Sequence, residues 1–365
     1  MMRPARFAAQ AEDRRPKTGA DEGGVMTPEE IKQGATGQAG TSATPFAISY
    51  LQLCQISYFQ TDQIAAAMPS VPPPGETAPE SSVGSWSVVW GPAKDWDDSN
   101  LAYAAAYTDA ASGVPVLLVV CLRGTDVHVD DPWGILKQLF EDLRVPDQVP
   151  LPWAPGSTAR IAKGTLSALD VIQKLSSNGQ SLSDFVTGYL DNSANQQPVL
   201  IVTGHSLGGA LTTVVAPWLQ SLGTITTPIV PATFAAPTVG NADFATLYGT
   251  DFSYSLRYWN DYDIVPCAWW NLPGIATIYT PCNLTPPGYV TDGLTHFENK
   301  LKGISYVQPA ANTQLSGFCS SLGTNWLDQA GVQHSTHTYM APLGGVNIMP
   351  PGGVGVPSIV DYKPG

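Results

Sequence analysis

The stretch that decides the fold is Pro198-Val199-Leu200-Ile201-Val202-Thr203-Gly204-His205-Ser206-Leu207-Gly208-Gly209-Ala210. Pro198–Thr203 is a short apolar run, the pattern of a strand covered on both faces. Leu207–Leu219 continues as a helix, with Pro217 placed to bend or end its hydrogen-bond ladder. Between them stands G-x-S-x-G. A serine on such a strand-to-helix turn takes a strained backbone angle and presents its hydroxyl at the C-terminal edge of the sheet. Gly204 and Gly208 fit the same geometry, because a Cβ at either would collide with the crossing chain. The helix N-terminus favours negative charge developing nearby. The competing reading is a glycine-rich turn that holds a serine by chance. The flanking strand and helix favour Ser206 as a nucleophile.

Working outward, Val114–Leu122 is a second continuous apolar run and predicts another doubly covered strand. Ser85–Trp90 alternates as a strand, and Leu101–Tyr107 pairs with it. Pro228–Ala235 and Ser253–Trp259 read as further strands. Thr165–Leu175 places Leu166, Leu169, Ile172 and Leu175 near one helical face, Phe46–Ala66 does the same with Leu51, Cys54 and Tyr58, and Ser335–Met340 starts a last helix. This alternation implies an α/β fold, a mostly parallel sheet with helices on both faces. Residues 1–44 show no apolar period and read as a disordered arm. Residues 45–345 read as one catalytic domain, and 346–365 as a Pro/Gly-rich tail.

The 365 residues are 43% apolar and 13% charged, the composition of a globular chain. A net charge of −13 argues against nucleic acid, since phosphate binding needs clustered Lys and Arg. It disfavours anionic membranes and is silent on neutral lipids. The apolar runs are too short for a transmembrane segment, and the N-terminus lacks the apolar core of a signal peptide, so secreted and cytoplasmic locations both stay open. Five cysteines do not make a disulfide scaffold. Cys267 and Cys282 flank one short segment and are candidates to pair; the alternative is that all five are free. Cys121, inside a strand, reads as buried and inert.

A serine hydroxyl needs a histidine base, and the histidine an acid to orient it. On this kind of fold the chain order is serine, acid, histidine. The histidines after Ser206 are His296, His334 and His337, and the intervening acids include Asp243, Asp251, Asp261, Asp263, Asp292 and Glu298. Asp261 and Asp263 lie just past a predicted strand, where a triad acid sits. Spacing alone separates neither Asp261 from Asp263 nor His334 from His337. Backbone N–H donors for an oxyanion are expected at Leu207 and in the loop after Val114–Leu122, where Arg123-Gly124-Thr125 stands.

Four blocks then resemble one family: Val119–Thr125, Ile201–Ala210, Thr233–Asn241 and Arg257–Pro266. Jointly, over roughly residues 45–345, the chain resembles the class 3, fungal-type triacylglycerol lipases. The resemblance implies the α/β-hydrolase fold and a triad of Ser206, Asp263 in the family's D-x-V-P element, and His334 opening an H-S-x-x-x-Y stretch. It implies an oxyanion residue at Thr125 beside Leu207, no metal and no organic cofactor. One departure stands out: the family usually has His-x-Gly-Phe where this chain reads Ala162-Lys163-Gly164-Thr165.

Trp133, Ile135, Leu136, Leu139, Phe140 and Leu143 share one helical face, with Lys137, Gln138, Glu141, Asp142 and Arg144 mostly on another. In class 3 lipases the lid occupies this place, which implies that Trp133, Leu136, Leu139 and Phe140 govern substrate access and make transient contact with a lipid interface. The alternative is a fixed surface helix. The expected activity is acylglycerol ester hydrolysis through an acyl-enzyme. Its rivals are phospholipase A1 or aryl esterase specificity on the same site, acyl transfer to an alcohol, and a catalytically dead interaction module.

Overall fold

The computed structural model describes residues 44–351, apart from 78, 97, 125–131 and 311–312. Its centre is a seven-stranded sheet whose strands lie in chain order: β1 (Gly84–Lys94), β2 (Leu101–Asp109), β3 (Pro115–Leu122), β4 (Val199–His205), β5 (Ile229–Phe234), β6 (Leu256–Asn260) and β7 (Thr313–Leu315). The first three strands are antiparallel, and β3 to β7 run parallel. This is the α/β-hydrolase arrangement, and the apolar runs account for it. Along β3, Leu118, Val120 and Leu122 enter one hydrophobic core, while Leu117, Val119 and Cys121 enter the other. A strand with a core on each side has no face left for polar residues.

Helices α1 (Thr44–Ile56) and α9 (Thr336–Leu343) cover one face, through residues such as Leu51, Leu53, Tyr339 and Met340. The other face carries α2 (Pro132–Asp142), α3 (Lys163–Ile172), α4 (Leu182–Asp191) and α5 (Leu207–Ser221), followed by α6 (Ala242–Asp251), α7 (Gly288–Lys300) and α8 (Trp326–His334). The predicted arm lies outside the described residues except for its last one, which opens α1; of the predicted tail only 346–351 is described.

Two expectations need correction. The helix read across Phe46–Ala66 stops at Ile56 and resumes at Ile64–Ala67. Ser57 donates its hydroxyl back to the Cys54 carbonyl at 2.7 Å, a local bond that competes with helix continuation. The helix read over Leu207–Leu219 stands as α5, with Pro217 inside it, and runs on to Ser221. The ring costs the Thr213 carbonyl its helical donor, but Val214, Val215 and Leu219 are fully buried on either side and hold the helix in place. Finally, Cys282 pairs with Cys319, not with Cys267. Cys267 ends the short helix Ile264–Cys267 and points into the core, where burial pushes its thiol up to about 12. Cys54 and Cys121 are also buried free thiols.

Candidate active site

Ser206 sits between β4 and α5 with φ +58° and ψ −127°, a backbone region that a non-glycine residue occupies only under constraint. The constraint comes from the glycines around it. A Cβ on Gly204 would lie 2.2 Å from the carbonyl of Gly208, and one on Gly208 would lie 2.2 Å from the Leu122 oxygen. The elbow is therefore pressed against itself and against the end of β3. The Ser206 N–H donates to the Phe234 carbonyl at 2.9 Å, which locks the turn to β5.

His334 is the last residue of α8 and lies between the other two groups. Its Nε2 is 2.9 Å from Ser206 Oγ and its Nδ1 is 2.8 Å from Asp263 Oδ2. A carboxylate accepts only, so Nδ1 carries the proton and Nε2 is left to accept from the serine. Asp263 is wholly buried and caps the helix Ile264–Cys267, its Oδ1 accepting the Val265 N–H at 3.0 Å. Tyr339 on α9 donates to Oδ2 at 2.8 Å, and the same phenol oxygen accepts the Asn260 N–H at 3.0 Å. Burial, then the charge of Asp263, push the Tyr339 phenol well above its ordinary value, so it stays a donor. Asn260 Nδ2 also donates to the side chain and backbone carbonyls of Gln333, at 2.7 and 3.2 Å. The end of β6 thus holds both the acid and the residue next to the histidine.

The competing residues lie elsewhere. Asp261 accepts from the Gly317 N–H and from Gln314, tying β6 to the segment around β7. His296 is exposed on α7. His337 is on α9, its imidazole lowered by burial, and no contact with Ser206 or Asp263 is recorded for it. Leu207 opens α5, so its N–H has no acceptor within the helix. Thr125 lies outside the described residues; its neighbour Gly124 abuts the elbow, where an added Cβ would lie 3.3 Å from Ser206 Cβ.

The second member of the motif, His205, is also buried. Burial first, and then His334, push its imidazole well below the ordinary value, so it is held neutral. A histidine that is neutral when folded and protonated when unfolded stabilises the fold above the unfolded value near 6.5. That contribution is lost as pH falls below it, at up to about 1.4 kcal/mol per pH unit. Unfolding titrations between pH 7 and 5 are expected to show a shallower pH slope in His205→Asn than in the unaltered protein. Equal slopes would mean that His205 is not held neutral.

Helix α2 has the predicted polarity. Trp133, Leu136, Leu139 and Phe140 are buried, while Lys137, Gln138, Glu141 and Asp142 face solvent. Phe140 stacks on Phe297 of α7 at 4.2 Å between ring centroids and meets Trp269 edge-on at 5.3 Å. Trp133 lies so close to α7 that a Cβ on Gly293 would fall 2.2 Å from its ring. At the departure from the family pattern, the glycine is the part the packing requires. A Cβ on Gly164 would lie 2.0 Å from the Asp142 oxygen, and the Gly164 N–H donates to Leu143 at 2.8 Å. Among the described residues, no helix is long and apolar enough to cross a membrane.

The elbow, the hydrogen-bonded Ser206–His334–Asp263 set and the sheet beneath them are arranged as in the α/β-hydrolase fold. Residues 119–270 match the family described as Lipase (class 3). A Caenorhabditis elegans protein, Lipase ZK262.3, is 41% identical over 83 residues, and the match spans 22% of this chain and 22% of that protein. The crystal structure of M37 lipase superposes with a TM-score of 0.66 at 26% identity, over 82% of this chain and 92% of that one. A mutant form of MDLA from Penicillium cyclopium reaches a TM-score of 0.47 at 17% identity, over 75% and 79% of the two chains.

Proposed function

We propose that this chain hydrolyses acylglycerol esters through an acyl-enzyme on Ser206. The observation that carries the reading is His334 bridging Ser206 Oγ at 2.9 Å and Asp263 at 2.8 Å. In this reading Ser206 attacks the ester carbonyl while His334 Nε2 takes its proton. Asp263 holds the imidazole and stabilises its charged form. The Leu207 N–H stabilises the oxyanion, with Thr125, three residues beyond the end of β3 in the sequence, as the second donor. His334 then protonates the departing alcohol, and water, activated by the same imidazole, releases the fatty acid and restores Ser206.

The lipid preference rests on α2 and on closure. Ser206 is only 3% exposed and His334 6%, so a bulky ester reaches the oxygen only after something moves. The α2 helix packs beside α8, which carries His334, and buries a face apolar enough to exchange protein for lipid. The match of residues 119–270 to the class 3 lipase family and the likeness to M37 lipase support the same reading.

The test is a rate curve for tributyrin carried through its solubility limit. A steep rise beyond the limit is expected. A curve that saturates below the limit and does not break there would indicate a soluble esterase, and a preference for phospholipid vesicles would indicate phospholipase A1. Trp133→Ala removes the ring that seats α2 on α7. It is expected to flatten the break by raising the rate on dissolved ester roughly tenfold, because each 1.4 kcal/mol moved from closed to open shifts the population by that factor. An unchanged curve in this variant would argue that α2 is a fixed surface helix.

A further inference from the structure

We infer that Tyr58 and His205 are positioning residues: with the His334 carbonyl they form one directional hydrogen-bond chain, packed against Gly124, that fixes the base and the β3 edge around Ser206. The inference rests on the triad reading above.

His205 Nε2 lies 2.9 Å from the backbone oxygen of His334. A carbonyl has no proton to give, so Nε2 carries the hydrogen. A neutral imidazole then has a lone pair at Nδ1, and Tyr58 Oη lies 3.2 Å from it. The phenol must donate there. It keeps its proton, since burial of the hydroxyl, then Cys54 and Cys121, push it above its ordinary value. Its oxygen also lies against the Gly124 backbone. Gly124 is pinned so closely that an added Cβ would lie 2.5 Å from Tyr58 Oη and 2.6 Å from the His205 oxygen. The chain therefore runs from the Tyr58 hydroxyl to His205 to the His334 carbonyl, with Gly124 packed against its start, and it cannot reverse.

The order has a consequence for the chemistry. The His205 and His334 rings are 4.9 Å apart between centroids. The base must gain a positive charge as Ser206 attacks, so a protonated His205 would oppose the step. The groups facing His205 are Tyr58 from the turn after α1, His334 from α8 and Tyr339 from α9. Cys54, Cys121 and Arg123 lie around Tyr58, and Asp263 lies behind His334. The carboxylate is spent on His334, Tyr339 and Val265. His205 thus has a hydroxyl and a carbonyl to bond, and among the described residues no carboxylate bonded to it that would favour its charged form.

The experiment compares Tyr58→Phe, His205→Phe and the double variant of the full chain with the unaltered protein. Its readouts are kcat and KM on p-nitrophenyl butyrate, the rate of Ser206 labelling by a fluorophosphonate, and Tm. Each single change is expected to lower kcat and the labelling rate roughly 10- to 100-fold, the scale of a base misplaced by a fraction of an ångström. KM is expected to stay within about twofold. The double variant is expected to be no slower than the slower single one, because members of one chain do not act independently. Full kcat in Tyr58→Phe, losses that multiply in the double variant, or losses matched by a falling Tm would each overturn the inference. If the unaltered protein itself fails to label at Ser206, the triad reading fails first. If it labels and Tyr58→Phe labels equally fast, only the present inference fails.

Discussion

Replacing Ser206 with alanine is expected to lower kcat by roughly a million-fold, the loss seen when a triad nucleophile is removed. Among the described residues, Ser206 holds the hydroxyl in contact with His334 Nε2. The fold should tolerate the change. Alanine keeps the Cβ that the elbow already accommodates at φ +58°, and the bonds that set the turn are backbone bonds, from Ser206 N–H to Phe234 and from Ala210 N–H to Ser206. A Tm within a few degrees of the unaltered protein is expected, so the loss will be chemical rather than structural. Turnover of a soluble ester, measured on protein free of contaminating esterase, checks the figure; a variant with near-full activity removes Ser206 from the reaction.

Asp263→Asn carries the second largest expected effect, a loss in kcat of roughly ten-thousand-fold. The carboxylate has donors on both oxygens: His334 and Tyr339 on Oδ2 and the Val265 N–H on Oδ1. An amide has only one accepting oxygen. If that oxygen keeps Val265, the NH2 faces the His334 N–H, and relief comes only when His334 moves its proton to Nε2. That tautomer confronts Ser206 with a donor and cannot accept its proton. If the amide turns over, its NH2 faces the Val265 N–H instead. Either way one buried donor is opposed, which also costs about 1–3 kcal/mol of stability. Thermal unfolding and kcat/KM on the same preparation measure both effects. A rate close to that of the unaltered protein would show that Asp263 does not orient the base.

The sheet was legible because burial on two faces leaves a plain mark: Pro115–Leu122 and Val199–Val202 are unbroken apolar runs. The elbow was legible for the same kind of reason, since its glycines answer to backbone contacts as close as 2.2 Å. Pairing the acid with the histidine was not. Asp261 and Asp263 both follow β6, and only the direction in which each side chain leaves the turn separates the one that meets His334 from the one that meets Gly317. Tyr58 was read by its period as part of an apolar helical face, which its ring satisfies, but the helix breaks just before it and the hydroxyl turns to His205. Tyr339 appeared only as the end of a motif. Its position five residues after His334, across a helix break, brings its hydroxyl to the same carboxylate. The Cys282–Cys319 pairing joins residues 37 apart with no local pattern to announce it. The charged and apolar sides of α2 were plain, but its aromatic seat on α7 depends on Gly293, a residue that spacing alone does not single out.

The most direct measurement is peptide mapping of the intact chain after reaction with a fluorophosphonate. The account predicts a single phosphonyl adduct per molecule, carried by the peptide that includes residue 206, formed in step with loss of esterase activity and absent from Ser206→Ala. An adduct on a different side chain, or hydrolysis that continues with the oxygen at 206 blocked, would contradict it.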